Sequence, residues 1–418
     1  MKKLCVIGAG AAGLAAAKNG LKLNCDVTVF EQSNAVGGTW VYTDEIGKDK
    51  YGLDVHSSMY KGLHTNLPKE IMSFPDFPIP YQEKSYILAE DMLAYLNLYA
   101  DNFKLKEKIK FEHHVVRVRP LIDDTWEVLV RDLKIEKYLI YNFDLIFICN
   151  GHYHTPIIPF YEGKNFFKGK ILHSHDYRCP DPFENETVLI IGAGPSGMDL
   201  ANEISKKATR VTLSHHLPEP PKTQFKTNVD LKPDVVKLTE DGAAFADGTL
   251  NTFSVVFYCT GYKYTFPFLS FDSGITCDDN FVRPLYKHCI NINRPTLAFI
   301  GLPFYVCATQ MFDLQARFCL TFMTDKKKIP SKTEMIEDSE KEMNKRWSKG
   351  FKKHQAHLMG CDQGKYYEDL SKTAEIEPLK PVIAKLHNFS SLRFLDDLTN
   401  FRQDIFRIID DETFIKVQ

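Results

Sequence analysis

The chain has 418 residues, of which 44% are hydrophobic and 25% charged, and its formal net charge is −2. This length is enough for two domains that each bury a core, and the near-neutral charge argues against nucleic acid or an acidic membrane surface as the main partner. The ten cysteines show no CxxC pair and no metal-ligand spacing, so we interpret them as reduced thiols, with Cys5, Cys149 and Cys259 inside apolar strands.

The first predicted elements, at residues 4–31, form a dinucleotide-binding strand–helix–strand unit. An apolar strand leads into Gly8-x-Gly10-x-x-Gly13, which opens an alanine-rich helix. These glycines allow a tight turn, close approach of a pyrophosphate and close helix–strand packing, and the helix N-terminus offers unpaired N–H groups to phosphates. The next strand ends in Glu31, where an acidic side chain can bind ribose hydroxyls.

A glycine pair follows this unit in GGTW, at residues 37–40. Paired glycines again allow close approach of a backbone. Flavoproteins of the dinucleotide-binding type often carry such a pair after the acidic strand end, so the pair favours FAD over NAD at the first loop. Taken alone, it also fits an ordinary turn.

The polar stretch FKGKILHSHDY, at residues 167–177, contains two histidines two positions apart. No cysteine or acidic cluster completes a ligand set, so we do not predict a metal site. We interpret the stretch as the passage between two domains. In this interpretation Gly169 permits a bend and His173 hydrogen-bonds backbone. Phe167 and Tyr177 anchor the stretch by burial.

A second copy of the loop pattern covers residues 186–216. Its glycine loop, GAGPSG at 192–197, lies between a strand and a helix, and the next strand ends in Ser214-His215-His216. A carboxylate there would repel a 2′-phosphate, whereas hydroxyl and imidazole groups can bond to one. The second loop is therefore predicted to bind NADPH rather than NADH, with a solvated strand end as the alternative. Other candidate phosphate partners are Arg210 and Lys222.

Three further apolar strands lead to Gly151, Gly261 and Gly301 and close these units. The third strand is predicted to return the chain to the first domain. The helix after it starts around Gln310, where backbone amides can reach the pyrimidine end of a flavin. An ordinary buried helix is the alternative interpretation of this segment.

Together these elements predict an α/β fold of two Rossmann-like dinucleotide-binding domains, with the NADPH domain inserted into the FAD domain. Residues 1–156 are predicted to be the first segment of the FAD domain and residues 157–270 the NADPH domain. Residues 271–418 are predicted to return to the FAD domain and to add a C-terminal helical region. That region, from 326 onwards, is mostly charged, and we expect it to cover the flavin domain or to form an oligomer contact.

No apolar run reaches the roughly 20 residues that are needed to span a bilayer. We therefore expect a soluble, cytoplasmic chain without a membrane anchor, or a secreted one if a signal peptide has been removed.

These segments together resemble the flavin-containing monooxygenases, and the match runs in order over most of the chain. It comprises GAGAAG, GGTW, YKGLHTNLPKEIMSFPDFPIP, the motif FxGxxxHxxx(Y/F) at residues 167–177, GAGPSG and the CTGY turn. The resemblance implies that NADPH reduces FAD and that reduced flavin and O₂ form a C4a-hydroperoxide. An amine nitrogen or a sulfide would then take the distal oxygen. The flavin cofactor, rather than a protein side chain, would therefore activate the oxygen.

Asn66, in LHTNLPKE, matches the active-site asparagine of this family, which the resemblance places beside flavin N5 and the nicotinamide ribose. An amide suits that place because it donates and accepts hydrogen bonds without titrating. The alternative is that Asn66 caps a turn before Leu67-Pro68.

The chain also departs from the family pattern. The arginine that family members commonly use for the 2′-phosphate is not evident in TLSHHLPEPPK. The short, anchorless form is most similar to insect members that N-oxygenate plant pyrrolizidine alkaloids. The resemblance therefore implies a small nucleophilic substrate, an amine, alkaloid or sulfide, together with O₂, and it leaves a homo-oligomer open.

Three other functions remain as alternatives. A Baeyer–Villiger monooxygenase would need a catalytic arginine near the flavin, where this chain has Asn66. A two-dinucleotide flavin reductase usually needs a redox-active cysteine pair, which is absent. A non-enzymatic nucleotide sensor that kept the fold is the third, because a fold alone does not prove activity.

Asn66 is the predicted catalytic residue, and no metal ligand is predicted. The cofactor-binding residues predicted outside the second unit are Gly8, Gly10, Ala12, Gly13, Glu31, Gly38, Thr39, Trp40, His64, Thr65, Asn66, Val116 and Gln310. Those predicted in the second unit are Gly192, Gly194, Pro195, Ser196, Gly197, Ser214, His215 and His216.

Overall fold

The computed structural model describes residues 1–417, without the side chain at position 395. The helices are α1 Ala11–Lys22, α2 Ala89–Asn102, α3 Pro195–Ile204, α4 Ala308–Met323, α5 Lys332–Ser348, α6 Gln363–Ala374 and α7 Pro381–Asp396. The strands are β1 Lys3–Ile7, β2 Asp26–Glu31, β3 Ile109–Phe111, β4 His113–Pro120, β5 Trp126–Asp132, β6 Lys137–Phe143, β7 Leu145–Ile148, β8 Lys170–His173, β9 Thr187–Ile191, β10 Arg210–Ser214, β11 Val229–Lys232, β12 Val235–Leu238, β13 Gly242–Phe245, β14 Leu250–Thr252, β15 Val255–Tyr258, β16 Thr276–Asp278, β17 Phe281–Arg283, β18 Leu285–Tyr286, β19 Ile290–Asn291, β20 Leu297–Phe299, β21 Phe406–Ile408 and β22 Phe414–Lys416.

The larger sheet has seven strands in the order β18-β19-β20-β7-β1-β2-β3. Strand β1 runs parallel to both β2 and β7, with Ile7 opposite Phe30 and Ile148, so the carboxyl ends of three strands meet at one edge. Its buried residues are apolar, as expected for a central parallel strand that is covered on both faces. Helices α1, α2 and α4 cover one face, and the antiparallel sheet β4-β5-β6 covers the other.

The smaller parallel sheet has five strands in the order β11-β10-β9-β15-β8. Helix α3 packs on one face through Met198 and Leu200, and the antiparallel sheet β12-β13-β14 packs on the other through Leu238 and Phe245. All five strands fall between β7 and β20 in the chain, so this unit is inserted into the first. The predicted α/β fold with two dinucleotide-binding units is confirmed.

Two chain segments cross between the units and pair with each other. The N–H of Ile157 donates to the carbonyl of Gly261 over 2.9 Å, and the N–H of Lys263 donates to the carbonyl of Thr155 over 2.8 Å. The predicted boundary between residues 156 and 157 falls within this pairing. The domain limits themselves stay a prediction.

The stretch at 167–177 differs from the predicted connecting chain, because part of it forms β8, the edge strand of the smaller sheet. Gly169 lies at a bend directly before β8, as predicted. A Cβ on it would also lie 2.4 Å from the carbonyl oxygen of Ser254, so the close packing of two backbones requires this glycine as well. Phe167 and Tyr177 are buried, as expected.

The two histidines of this stretch interact with each other. The Nδ1 atom of His173 accepts a hydrogen bond of 3.1 Å from the backbone N–H of His175, which matches the predicted contact of His173 with backbone. Among the described residues, no group of histidine, cysteine and acidic side chains is arranged to hold a metal ion.

The C-terminal region packs on both units. Tyr366, Tyr367 and Leu370 of α6 join the core of the larger sheet, as expected for a cover of the first domain. Leu386 of α7 and Phe401 instead join the core of the smaller sheet. The region therefore links the two units, whereas the expectation was a cover for the flavin domain or an oligomer contact. Within residues 1–417, no helix combines the length and the hydropathy that a membrane crossing requires.

Candidate functional site

The first glycine loop connects β1 to α1. Helix α1 begins after Gly10, and no side chain caps its N-terminus, so backbone N–H groups are available there. Gly8 has φ +104°, and a Cβ on it would lie 2.6 Å from the carbonyl oxygen of Cys149. A Cβ on Gly13 would lie 1.8 Å from the carbonyl oxygen of Gly8. The turn and the helix–strand contact therefore require these two glycines, as predicted. Ala12 lies buried in the first turn of the helix.

Glu31 lies at the end of β2 beside this loop and is buried. Its carboxylate accepts a hydrogen bond of 2.8 Å from the N–H of Ala9 and another of 2.8 Å from the N–H of Ser33. A carboxylate has about four lone-pair directions, so it can still accept bonds from ribose hydroxyls.

The glycine pair packs directly against the first loop. The N–H of Gly37 donates to the carbonyl of Ala9 over 3.1 Å, and a Cβ on Gly38 would lie 3.0 Å from the Cα of Gly10. Thr39 and Trp40 continue this segment as a short 3-10 turn and are half-buried. GGTW is thus part of the same cradle as the first loop.

The second glycine loop repeats this geometry between β9 and α3. Gly192 has φ +107°, and its Cβ would lie 2.6 Å from the carbonyl oxygen of Cys259. A Cβ on Gly197 would lie 1.7 Å from the carbonyl oxygen of Gly192. Pro195 is the first residue of α3, where its missing N–H costs nothing, and Ser196 follows it exposed.

Gly10 and Gly194 differ from the other loop glycines because the protein itself does not exclude a side chain there. A Cβ on Gly194 meets no heavy atom within 4 Å, and one on Gly10 lies 3.5 Å from the Cα of Gly38, an ordinary contact. Glycine at such positions is explained by a pyrophosphate that approaches the backbone. Both loops therefore fit a dinucleotide.

The three residues at the end of β10 are unequally available to a phosphate. The hydroxyl of Ser214 donates to the carbonyl of Pro233 over 2.8 Å, so its proton is engaged, contrary to the expectation. Nδ1 of His216 pairs with the carboxylate of Asp234. Nδ1 of His215 accepts from the N–H of Leu217 over 3.3 Å, which leaves Nε2 as a donor.

The two alternative phosphate partners lie elsewhere. Arg210 pairs with Asp230 at the start of β10. That end is about 13 Å from the glycine loop at a rise of ~3.3 Å per residue, so the prediction for Arg210 is wrong. Lys222 lies 3.5 Å from Asp396 of α7, and both side chains are exposed.

Asn66 follows a segment that is fixed by backbone pairing. Thr65 is buried, its N–H donates to the carbonyl of Ile87 over 2.9 Å, and its hydroxyl accepts from the N–H of the same residue over 3.2 Å. Nδ1 of His64 lies 3.0 Å from the carbonyl of Gly62. Asn66 itself is exposed. Its side chain caps no turn, because its Oδ1 accepts a hydrogen bond of 2.6 Å from Arg402.

Arg402 belongs to a partly buried polar network at the junction of the units. Its guanidinium binds the carboxylate of Asp199, on α3, with Nη2 to Oδ2 at 2.9 Å. The hydroxyl of Tyr60 donates to the same oxygen over 2.9 Å. Burial opposes the charge on Arg402, but the Asp199 carboxylate outweighs it, so the pKa of the guanidinium is raised. Burial and Asp199 also raise the pKa of Tyr60 well above its usual value, so its hydroxyl stays protonated.

Gln310 and Val116 occupy less informative positions. Helix α4 begins at Ala308, close to the predicted start, and no side chain caps its N-terminus. The side chain of Gln310 is buried and donates to the carbonyl of Ser73 over 2.8 Å. Both the flavin contact and the buried-helix interpretation are thus open for this helix. Val116 is the bulged residue of β4 and is half-buried.

Several histidines gather where the two units meet. The rings of His56 and His154 stack with centroids 4.7 Å apart. Burial lowers the pKa of His56, His152, His154 and His173 to about 4 in each case. These rings are therefore neutral near pH 7.

The residues missed from the sequence are Tyr60, Asp199 and Arg402. Asp199 carried a signal, because it stands between Met198 and Leu200 in a helix with a buried face, and a buried acid requires a partner. Arg402 carried none, because it lies in a charged C-terminal segment with many basic residues.

Comparison with known proteins places these features in a family. A family model described as flavin-binding monooxygenase-like matches residues 1–219 and 216–387. Senecionine N-oxygenase of Tyria jacobaeae is 33% identical over 99% of this chain and 91% of its own length. Flavin-containing monooxygenase FMO GS-OX3 of Arabidopsis thaliana is 36% identical over 90% of this chain and 85% of its own length.

A solved structure supports the same conclusion. S-allyl-L-cysteine S-oxygenase from Allium sativum superposes with a TM-score of 0.91 at 30% identity, covering 96% of this chain and 94% of that chain. The resemblance stated from the motifs is confirmed. The chain belongs to the flavin-binding monooxygenase-like family, and it is a flavin-dependent monooxygenase whose cofactors are FAD and NADPH.

Proposed function

We propose that this monooxygenase transfers one oxygen atom of O₂ to a soft nucleophile, either the nitrogen of a tertiary amine or the sulfur of a sulfide. The observation that carries the proposal is the placement of Asn66. Its amide does not titrate, is exposed, and is tied through Arg402 to the helix that follows the second glycine loop.

The two loops divide the cofactors between them in this proposal. The first loop, with Glu31 and Gly38, holds FAD, and the second loop, with His215, holds NADPH. Bound FAD, once reduced by NADPH, supplies the activation of O₂. The second loop is assigned to NADPH because its strand ends without the carboxylate that Glu31 supplies at the first.

The side chains at the junction keep stray protons away from the reaction. Asn66 can donate hydrogen bonds but cannot release a proton, and burial keeps His56, His152 and His154 neutral near pH 7. A soft nucleophile needs no general base when it attacks electrophilic oxygen, so the absence of a charged acid–base pair among these residues suits N- or S-oxygenation.

For the substrate class, we propose a tertiary amine first, with pyrrolizidine alkaloid free bases as the group to test. Relatives support both kinds of acceptor, because one is named as a senecionine N-oxygenase and another as an S-allyl-L-cysteine S-oxygenase. Sulfides are therefore the second group to test.

The test is product analysis on the purified yellow protein with NADPH, O₂ and each candidate substrate. Replacement of Asn66 by Asp keeps an oxygen for Arg402 but removes both amide N–H donors. We expect N66D to retain FAD and to form oxide about a hundredfold more slowly, the usual cost of a lost donor at a reacting centre. The control is N102D, which makes the same change at an exposed position on α2.

The alternatives give different products in the same assay. Conversion of a ketone to an ester, without any N- or S-oxide, would identify a Baeyer–Villiger enzyme instead. Oxidation of NADPH with an artificial electron acceptor but no oxygenated product would identify a reductase. Full activity of N66D would contradict the role proposed for Asn66.

A further inference from the structure

We propose that Arg402 is a positioning residue for oxygen transfer, which fixes the orientation of the Asn66 amide and couples it to the helix after the second glycine loop. The inference rests on the function proposed above for Asn66. It assigns a part in the reaction to a C-terminal segment in which the sequence indicated no chemistry.

The guanidinium of Arg402 contacts three partners at once. Its Nη2 donates to Oδ1 of Asn66 over 2.6 Å, and its Nε donates to the carbonyl of Thr65 over 3.2 Å. Its Nη1 and Nη2 donate to Oδ1 and Oδ2 of Asp199 over 3.1 and 2.9 Å. Only a planar group with donors in a fork can bind a carboxylate with two bonds and reach two further oxygens in this way.

These bonds determine which end of the amide faces the cofactor side. A guanidinium has only donors, so the oxygen of Asn66 must face Arg402. The NH₂ group of Asn66 is then directed away from Arg402, as a pair of donors for a ligand. Loss of Arg402 removes this preference, and the amide can rotate.

The network is buried enough to hold its geometry. The side chain of Asp199 is 7% exposed and that of Arg402 20% exposed. The hydroxyl of Tyr60 donates a further hydrogen bond to the Asp199 carboxylate. The centroid of the Phe401 ring lies 4.7 Å from the guanidinium carbon, and Phe401 is itself buried in the core of the smaller sheet. An exposed ion pair would contribute little order, whereas a partly buried bidentate pair with further hydrogen bonds restricts all its members.

Asp199 gives this contact a second consequence. It lies on α3, the helix whose N-terminus forms the second glycine loop. A shift of that helix on cofactor binding would therefore move Arg402 and, through it, the amide of Asn66. Two side-chain contacts, Asp199–Arg402 and Arg402–Asn66, therefore connect the second glycine loop to the amide of Asn66.

The experiment compares R402M, R402K, N66A and the double variant N66A/R402M with the wild type. The control is R393M, which removes another buried-acid pair of the same segment, between Arg393 and Asp404 at 2.8 Å, with exposures of 29% and 6%. For each variant we would measure FAD content, kcat and KM for oxide formation, and hydrogen peroxide released per NADPH. Hydrogen exchange of residues 60–70, followed by mass spectrometry in the absence of substrate, gives a readout that is independent of turnover.

We expect R402M to lower kcat about tenfold or more, the range for loss of a hydrogen bond to a charged group, with a smaller change in the KM of the amine. More NADPH should be lost to peroxide, and exchange in residues 60–70 should rise. R402K keeps a charge beside Asp199, so it should hold FAD and fold normally while restoring only part of kcat. R393M should leave kcat and this exchange unchanged.

The double variant tests whether Arg402 acts through Asn66. If it does, N66A/R402M should be no slower than N66A alone. Rate losses that multiply in the double variant, or an R402M enzyme with normal kcat and normal exchange, would overturn the proposal. If R402M does not fold, the same cycle with R402K decides. A wild-type enzyme that forms no oxide would contradict the proposed function, whereas unchanged exchange in R402M would contradict the positioning alone.

Discussion

Asn66 and Arg402 share a hydrogen bond of 2.6 Å although 336 positions separate them in the chain. Asn66 was identifiable because it lies in a stretch whose order of residues resembles a known family. Arg402 was not, because a single arginine in a charged segment has no pattern around it. Its position depends on how α7 and the residues after it pack on the smaller sheet.

His215 is the residue for which the structure sharpens the prediction of NADPH binding most. We expect H215A to raise the KM for NADPH about tenfold while leaving the KM for NADH nearly unchanged, because only NADPH has the 2′-phosphate that Nε2 can reach. Steady-state kinetics with both nucleotides would measure this difference.

His216 supplies the control for this prediction, because its ring already pairs with Asp234 and is exposed. H216A should change neither constant much. An equal rise of both KM values in H215A would mean that His215 contacts a part common to the two nucleotides.

At the scale of elements, the two loops show which glycines serve the fold and which serve a ligand. We expect G194A to fold normally and to raise the KM for NADPH about tenfold or more, because the new methyl group meets no protein atom but occupies the space of the pyrophosphate. G197A should be strongly destabilised, because its Cβ would lie 1.7 Å from the carbonyl oxygen of Gly192.

Thermal unfolding and nucleotide titration of the two variants would separate these effects. FAD content should stay normal in G194A, since the first loop is untouched. Normal NADPH binding in G194A would show that the second loop does not hold the nicotinamide cofactor.

The edge strand β8 is an element that the residue pattern of the sequence did not predict. Its four residues, Lys-Ile-Leu-His, are too short to reveal a period, and the motif that contains them was interpreted as connecting chain. Pairing with β15 decides that they form a strand, because Val256 and Phe257 lie opposite Ile171 and Leu172 in parallel register.

For the whole molecule, the neutral histidines between the units predict how stability depends on pH. The pKa of His56, His152, His154 and His173 is about 4 in the folded chain against 6.5 for an ordinary histidine. As the pH falls, these histidines are therefore protonated in the unfolded chain before they are protonated in the folded chain. Their contribution to the free energy of unfolding is fully present above pH 6.5 and is lost as the pH falls toward 4. We expect the melting temperature to fall over that window.

Melting temperature measured from pH 7.5 to 4.5 would check this dependence. H154Q should flatten the slope of melting temperature against pH, because it removes one histidine whose pKa is lowered in the folded chain. Each such histidine contributes at most about 1.4 kcal/mol per pH unit to the free energy of unfolding. The exposed His354 provides the control, and H354Q should leave the slope as in the wild type. An identical slope in H154Q would contradict the prediction.

The sequence by itself determined both glycine loops, the repeated strand–helix–strand pattern along the chain, and the insertion of one unit into the other. The two loops are local features, since each depends on residues within about 30 positions. The close backbone contacts at Gly8, Gly13, Gly192 and Gly197 leave no other residue type there. The family membership followed from the same motifs.

Only the tertiary structure decided which polar groups face each other across the chain. In the folded chain the hydroxyl of Ser214 donates to Pro233, and Arg210 lies at the far end of its strand. Several histidines lie together at the junction, and Arg402 contacts Asn66. The residues that Ser214 and Asn66 contact lie 19 and 336 positions away in the chain, so their distance depends on how the chain packs, and the hydrogen bonds leave no regular spacing in the sequence.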